Sequence, residues 1–269
     1  MSVNMIHKTA IVHPKAKLDA TVQVGPCAVI DERVELGAHC VVGPHVYLTG
    51  ITKTGSHNKF HAGCVIGDAP QDLKYKGEPT RLRIGDHNVF REHVTVHRAT
   101  NVDGETVIGS NNYLMANCHV GHNSHLGDHI IIANGALLGG HVTVQDRAFI
   151  SGNCLIHQFT RVGTLTMMQG KAGIGQDLPP FTMAHGVNRI CGLNVVGLRR
   201  AGFTAEQRIE LKRLYHLLFR SGKNLRAAVE EAQKSFNSPT ARIMLDFVAG
   251  AKRGVCTDAG RVVGENEDE

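Results

Sequence analysis

An aliphatic or Met residue stands at every sixth position from Ile108 to Ile174: Ile108, Leu114, Val120, Leu126, Ile132, Leu138, Val144, Ile150, Ile156, Val162, Met168 and Ile174. The same beat runs from Val12 to Ile66 and returns at Ile84, Phe90 and Val96, giving 25 seats of which only Thr54 is not strongly apolar. In a chain that is 42% hydrophobic, chance fills about ten of them. A period of six with two inward seats fits neither the 3.6 of an α-helix nor one long strand. The residue after the aliphatic is often Gly, as at 25, 43, 67, 121, 139 and 175, where a backbone must turn among crowded side chains. The seat four positions later is usually small, as at Ala28, Cys40, Cys64, Cys118, Ala136 and Cys154. Together these features specify a parallel β-helix of hexapeptide repeats, in which each coil buries its aliphatic seats on the next. With three hexads per coil, residues eighteen apart become vertical neighbours at a strand spacing of about 4.8 Å.

Two polar stretches interrupt the beat, at about 69–83 and 98–106, and read as loops inserted in the solenoid wall, where binding residues concentrate. Pro179-Pro180 closes the repeats, since proline cannot donate to a strand ladder. Beyond it, Thr204-Ala-Glu-Gln207 is a capping box, Leu211, Leu214, Tyr215 and Leu218 form one apolar stripe, and Ser238-Pro239 opens a last helix. The expected organisation is a β-helix over 1–190, an α-helical domain over 191–254, and an acidic, disordered tail over 255–269.

The chain has no Trp and only 5% aromatic residues, in keeping with a narrow core of Val, Ile and Leu. The absence of a long apolar run or a signal-like start predicts a soluble, cytoplasmic protein with no transmembrane segment. Four of the seven cysteines occupy the small inward seat, so they read as buried reduced thiols. Residues 191–254 hold twelve Lys/Arg against five Asp/Glu, which favours an acidic partner over nucleic acid or simply marks a solvated basic face.

The seventeen histidines are densest near His119-Val-Gly-His122. His122 lies between two inward seats and therefore points outward. The eighteen-residue rule stacks it on Gly140 and Gln158, with His141 and His157 beside them. A base, a close-approach backbone N–H and an amide are the parts an acyl transfer requires. Spacing alone leaves two other readings open: outward imidazoles that merely ladder, and imidazoles that hold zinc.

The chain resembles the bacterial UDP-N-acetylglucosamine O-acyltransferases. The resemblance rests on Gln71-Asp-Leu-Lys-Tyr-Lys-Gly-Glu-Pro-Thr80, Val96-His-Arg98, His119-Val-Gly-His122, Gly139-Gly-His-Val142, His157-Gln-Phe159, Gln176-Asp-Leu-Pro-Pro180, Gly192-Leu-Asn194 and Gly202-Phe203. It implies a left-handed β-helix with a small helical C-terminal domain, assembled as a homotrimer. It also implies transfer of an (R)-3-hydroxyacyl chain from acyl carrier protein to the sugar 3-hydroxyl, the first step of lipid A synthesis, with no cofactor and no metal. By the same resemblance His122 is the general base and Gly140 the oxyanion donor. Asp72, Lys74, His119, His141 and Gln158 contact the sugar and its phosphates, while Asn194 and Arg200 contact the nucleotide. Gly170 stands where acyl length is limited, and implies a chain of about fourteen carbons.

Three positions depart from the family pattern: Asn123 where an Asp commonly follows the base, Val196 for an acidic residue, and Ala201 for an arginine. The first admits an acceptor bearing a 3-amine, which needs less help from a base. The competing enzyme class is a γ-type zinc carbonic anhydrase on the same kind of β-helix.

Overall fold

The computed structural model of the chain describes residues 5–258. Short parallel strands run from Ile11–Val12 to Gly173–Ile174, and each of the 25 carries one of the 25 periodic seats. They assemble into three parallel sheets that form the faces of a prism: nine strands on the face that begins at Ile11, eight on the one that begins at Lys17, and eight on the third, which begins at Gln23 and is extended to eleven by three strands after the repeats. Paired residues lie eighteen apart through the second half of the solenoid, as Ile132 does with Ile150. Across the first loop the partners are Val65 and Thr95, and across the second Thr95 and His119. Both insertions are therefore multiples of six, and the in–out alternation survives them.

Part of each predicted loop is strand. Arg81–Ile84 pairs over four residues with Ile51–Thr54 on one side and with Glu105–Ile108 on the other, so the excursions are confined to 69–80 and 98–104. The backbone of 81–83 and 105–107 is paired there because a ladder partner lies on the coils above and below.

The small inward seats close the core. Cys40, Cys64, Cys118 and Cys154 are buried free thiols, and burial pushes Cys64 up to about 11 and Cys118 up to about 12, which keeps them protonated and unreactive. In the same seat Asn58, Asn88 and Asn112 form a fully buried ladder. Asn58 Oδ1 accepts from the Asn88 N–H at 2.9 Å, and Asn88 Oδ1 accepts from the Asn112 N–H at 2.9 Å. Asn112 Oδ1 closes the row by accepting from the Ile130 N–H at 2.7 Å. The ladder spans the two insertions, where it fixes the vertical register.

Histidine has a structural use in this fold. The corner residue three after an aliphatic seat adopts positive φ, and seven of the seventeen histidines occupy such corners, at 39, 45, 57, 87, 93, 129 and 141. Asn111, Asn117, Asn123 and Asn153 fill equivalent corners. His and Asn tolerate the left-handed region better than most residues. Much of the His abundance is thus backbone geometry, as is the stack of His39, His57 and His87 with ring centroids 4.8 and 4.6 Å apart.

After the repeats an antiparallel hairpin, Thr182–His185 with Arg189–Leu193, caps the third sheet. Four helices follow: α1 (Val195–Arg200), α2 (Ala205–Phe219), α3 (Leu225–Ser235) and α4 (Pro239–Ala249). The capping box of Thr204 and Gln207 starts α2, the stripe Leu211, Leu214, Tyr215 and Leu218 is buried, and Ser238 caps α4. The helix α3, capped by Asn224, has no counterpart in the sequence reading. Solenoid and helices are tied by Arg161, which pairs with the buried Asp177 at 2.7 Å and donates to the Phe247 carbonyl at 2.9 Å.

Residues 255–258, assigned from sequence to a disordered tail, are ordered. Val255 and Cys256 are buried, and Thr257–Asp258 pairs in parallel with Arg189–Ile190. Apolar burial and a countercharge explain the difference, because the Asp258 carboxylate accepts from Tyr215 Oη at 2.7 Å and Arg220 Nε at 2.5 Å. The rest of the predicted tail, 259–269, lies outside the described residues.

Candidate active site

The eighteen-residue column forms a wall of a cavity of about 750 Å³ lined by Gln71, His97, His119, His122, Gly140, His157 and Gln158. His119 pairs with Leu137, Leu137 with Leu155, and Leu155 with Gly173, so their outward side chains form the floor. Leu137 and Leu155 are 44% and 55% exposed and form an apolar stripe along the floor. The groove is therefore polar at the His122 end and apolar away from it.

His122 is oriented by the corner residue after it. Its Nδ1 lies 2.9 Å from Asn123 Oδ1. That same oxygen accepts from the Thr100 backbone N–H at 3.1 Å and from Thr100 Oγ1 at 2.9 Å, while Asn123 Nδ2 donates to Asn101 Oδ1 at 3.1 Å. A backbone N–H can only donate, so the atom facing it is the amide oxygen and the amide orientation is fixed. His122 Nδ1 must then carry the proton, and Nε2 keeps its lone pair. The second insertion, which supplies Thr100 and Asn101, thus sets the tautomer of the base.

Gly140 sits directly over this ring. A Cβ built on it would lie 2.5 Å from His122 Cε1 and 2.6 Å from Nε2. Gly140 does not have positive φ, so the need for glycine here is steric rather than conformational. It is buried, and among the described residues its N–H has no hydrogen-bond partner. A free N–H beside Nε2 is placed to stabilise an oxyanion formed where the base acts.

The surrounding imidazoles are kept neutral. Burial, helped by His97 and His122, pushes His119 down to about 4, and its Nδ1 lies 2.7 Å from Thr95 Oγ1. Burial also lowers His97, against the opposing pull of Asp68, and lowers His141. Neutral rings can donate or accept, and add little positive charge around the base.

Asp72 stands at the half-buried base of the first loop, close enough to favour charge on His141, and its Oδ1 accepts from the Lys74 N–H at 2.9 Å. Lys74 is exposed, and the neighbouring Leu73 protrudes fully into solvent. His141 packs edge-on against His122 at 5.3 Å and stacks on Phe159 at 4.5 Å. Asn194 and Arg200 lie in the helical cap and do not line this cavity. The Asn194 amide already caps α1 at Gly197 N and donates to the Leu165 carbonyl at 2.9 Å. Gly170 is an exposed turn residue outside the cavity lining, with room for a Cβ at 3.6 Å from the Gly152 carbonyl.

Sequence reasoning missed three features. His97 is buried at 6% exposure with an unpartnered Nδ1, and belongs to the cavity because the bulge after Ile66 re-aims the strand end. Gln71 enters it from the first loop. The outward leucines 137 and 155 were legible as an eighteen-residue pair of apolar residues on the wrong side of the wall. Among the described residues, no three His, Cys, Asp or Glu side chains of one chain converge as a metal site requires, and a zinc site would need a second chain.

The comparisons bear on this groove. A family profile described as the second domain of UDP-N-acetylglucosamine O-acyltransferase matches residues 177–256, and one described as bacterial transferase hexapeptide matches 105–140. The acyl-[acyl-carrier-protein]–UDP-N-acetylglucosamine O-acyltransferase of Thermodesulfovibrio yellowstonii is 46% identical over 257 residues, covering 94% of this chain and 100% of the relative. The chain belongs to the UDP-N-acetylglucosamine O-acyltransferase family. Solved members superpose closely. The Francisella novicida UDP-N-acetylglucosamine acyltransferase gives a TM-score of 0.91 at 33% identity, covering 98% of this chain and 100% of that one. An Acinetobacter baumannii member gives 0.89 at 36%, covering 94% and 99%. The family's left-handed β-helix is the fold of this chain, an exception to the right-handed rule for parallel crossovers.

Proposed function

We propose that this acyltransferase moves an (R)-3-hydroxyacyl chain from acyl carrier protein to the 3-hydroxyl of UDP-N-acetylglucosamine, the reaction that opens lipid A biosynthesis. The observation that carries the reading is the His122 tautomer: Nδ1–H is tied to Asn123 and Nε2 is open toward the groove beside the free N–H of Gly140. The acceptor's 3-hydroxyl gives its proton to Nε2 while its oxygen attacks the thioester carbonyl. The carbonyl oxygen, now negative, is held by the Gly140 N–H. Collapse of the tetrahedral intermediate expels the carrier's thiolate, which takes the proton from His122. Base catalysis of this kind contributes roughly 10²–10⁴, and an oxyanion donor about 3 kcal/mol.

The acyl chain lies along Leu137 and Leu155, where apolar side chains face outward. Gln71, Asp72 and Lys74 of the first loop, with His119, His141 and Gln158, hold the sugar and its phosphates. Asn194 and Arg200 serve the nucleotide end. Their distance along the fold from the His122 cavity supports a homotrimer in which one subunit's helical cap completes a neighbour's groove, as does the protruding Leu73. The neutral Asn123 amide on Nδ1 stabilises the imidazolium formed in this step less than a carboxylate would, which makes His122 the weaker base. No helix among the described residues is long and apolar enough to cross a membrane, and the activity is assigned to the cytoplasm.

The test is turnover of His122→Ala with 3-hydroxyacyl carrier protein and UDP-N-acetylglucosamine. A loss of at least 10² is expected, and near-normal turnover removes His122 from the mechanism. Running the wild type on the 3-amino sugar in parallel decides the acceptor atom: a clear preference for the amine replaces the 3-hydroxyl reading.

A further inference from the structure

Arg98 opens the second insertion directly after the strand Thr95–His97, and its side chain lies half-buried against the coil below. Its Nη1 donates to the Gly67 carbonyl at 2.8 Å, and its backbone N–H donates to the Asp68 carbonyl at 3.1 Å. Gly50 clears the room for this seat. A Cβ there would lie 3.1 Å from both Arg98 Cδ and Nη1 and 2.6 Å from the Gly67 carbonyl oxygen, and Gly50 also holds a positive φ of 66°. Among the described residues no carboxylate pairs with Arg98, so the guanidinium directs its donors at neutral oxygens. Nε and Nη2 lie 3.3 and 3.1 Å from Tyr75 Oη, whose own proton goes to the Glu78 carbonyl at 2.8 Å. A phenol oxygen has one proton and two lone pairs, so this node is complete.

The same node fastens the first insertion. Within 70–78 the Tyr75 N–H donates to the Asp72 carbonyl at 3.0 Å, the Lys74 N–H to Asp72 Oδ1 at 2.9 Å, and the Lys76 N–H to Glu78 Oε2 at 2.8 Å. These bonds shape the loop without attaching it. Among the described residues, the only hydrogen bonds from 70–78 to the rest of the chain are the two from Arg98 to Tyr75. On the other side of Arg98, Ala99 is fully buried, and Thr100 directs its N–H and its hydroxyl at Asn123 Oδ1, the acceptor that sets the His122 tautomer. One guanidinium thus stands between the loop that carries Gln71, Asp72 and Lys74 and the segment that orients the base.

We propose that Arg98 is a positioning residue for the transfer. Through Tyr75 it holds the first insertion over the groove, and through Thr100 and Asn123 it keeps His122 in register with what that loop binds. This rests on the function proposed above, in which the loop holds the nucleotide sugar and His122 takes its proton. The planar fork is needed rather than the charge, because an ammonium cannot serve the Gly67 carbonyl and Tyr75 Oη from one rigid plane. The two consequences separate: removing Tyr75 Oη frees the loop alone, whereas removing the fork frees the loop and slackens Thr100.

The test compares Tyr75→Phe and Arg98→Lys in the full chain. Amide hydrogen exchange of 70–78, read by mass spectrometry without substrate, should be about tenfold faster in both variants, with the coils at 108–174 unchanged. Tyr75→Phe should raise the KM for UDP-N-acetylglucosamine about tenfold, the scale of one hydrogen bond from a charged donor, with kcat within about twofold of wild type. Arg98→Lys should raise that KM equally and also lower kcat about fivefold, because Thr100 loses its anchor. Exchange unchanged in Tyr75→Phe overturns the proposal. So does an Arg98→Lys enzyme with wild-type KM and kcat, in which charge alone suffices, and so does a lower thermal midpoint in both variants with KM and kcat intact, which makes the contact merely structural. Equal kcat losses in the two variants overturn the relay through Thr100. The exchange measurement needs no turnover, so a wild type inactive on UDP-N-acetylglucosamine removes the function proposed above while the tether is still decided.

Discussion

Gly140→Ala isolates the catalytic geometry from the fold. Three atoms of the His122 ring, Cε1, Nε2 and Nδ1, lie 2.5, 2.6 and 3.0 Å from the position of the new methyl. Real Cβ contacts need roughly 3.4 Å or more, so the ring must retreat by about 1 Å. A misplacement of that size costs about 10²-fold in rate. The backbone supplies no competing explanation, because Gly140 does not sit at positive φ and the substituent points into the groove rather than the core. The Gly140 N–H is retained as well. The expected outcome is a kcat about 10² lower, an almost unchanged KM for the nucleotide sugar, and a thermal midpoint within a few degrees of wild type. Steady-state kinetics and calorimetry on the same preparation read both arms. A kcat within threefold of wild type refutes the placement of the base; a collapsed midpoint refutes the claim that this glycine serves catalysis rather than packing.

Three further outcomes follow from named contacts. Asn123→Leu removes the acceptor that fixes the His122 tautomer; loss of one neutral hydrogen bond of about 1 kcal/mol predicts about a fivefold lower kcat, accompanied by a stability loss of about 1–3 kcal/mol because Leu stands at positive φ and the Thr100 N–H loses its acceptor, and an unaffected kcat denies Asn123 that role. Asn88→Ala orphans the Asn112 N–H and the Gly109 carbonyl, at 1–3 kcal/mol each, so urea titration should show a loss of about 4 kcal/mol, and a loss under 1 kcal/mol would mean the ladder is dispensable. Folding stability should fall with acid: His119 is held near 4 in the folded chain against 6.5 ordinarily, so between those values the unfolded chain binds the extra proton and stability drops as pH falls, by about 3 kcal/mol by pH 4. His97 and His141 act in the same direction; a flat profile in denaturant titrations from pH 7 to 4.5 contradicts the burial of these rings.

The solenoid was legible because its signal is repeated. A side chain at each periodic seat meets the same environment as its neighbours above and below, so the aliphatic beat carried the strands, the inward faces and the eighteen-residue ruler that aligned His122, Gly140 and Gln158. Local chemistry was equally readable in Thr204, Gln207 and Ser238, since a cap is satisfied within three residues. What the sequence left open depended on contacts between distant segments. The role of Asn123 needed Thr100 and Asn101 beside it, from an insertion whose path no period describes. His97 reached the groove through a strand irregularity. The burial of Asp258 required Arg220 and Tyr215, which no local pattern pairs with it. Seven of the seventeen histidines meet a requirement of the corners: only the folded coil separates an imidazole that relieves positive φ from one, at 122, whose free nitrogen faces a groove.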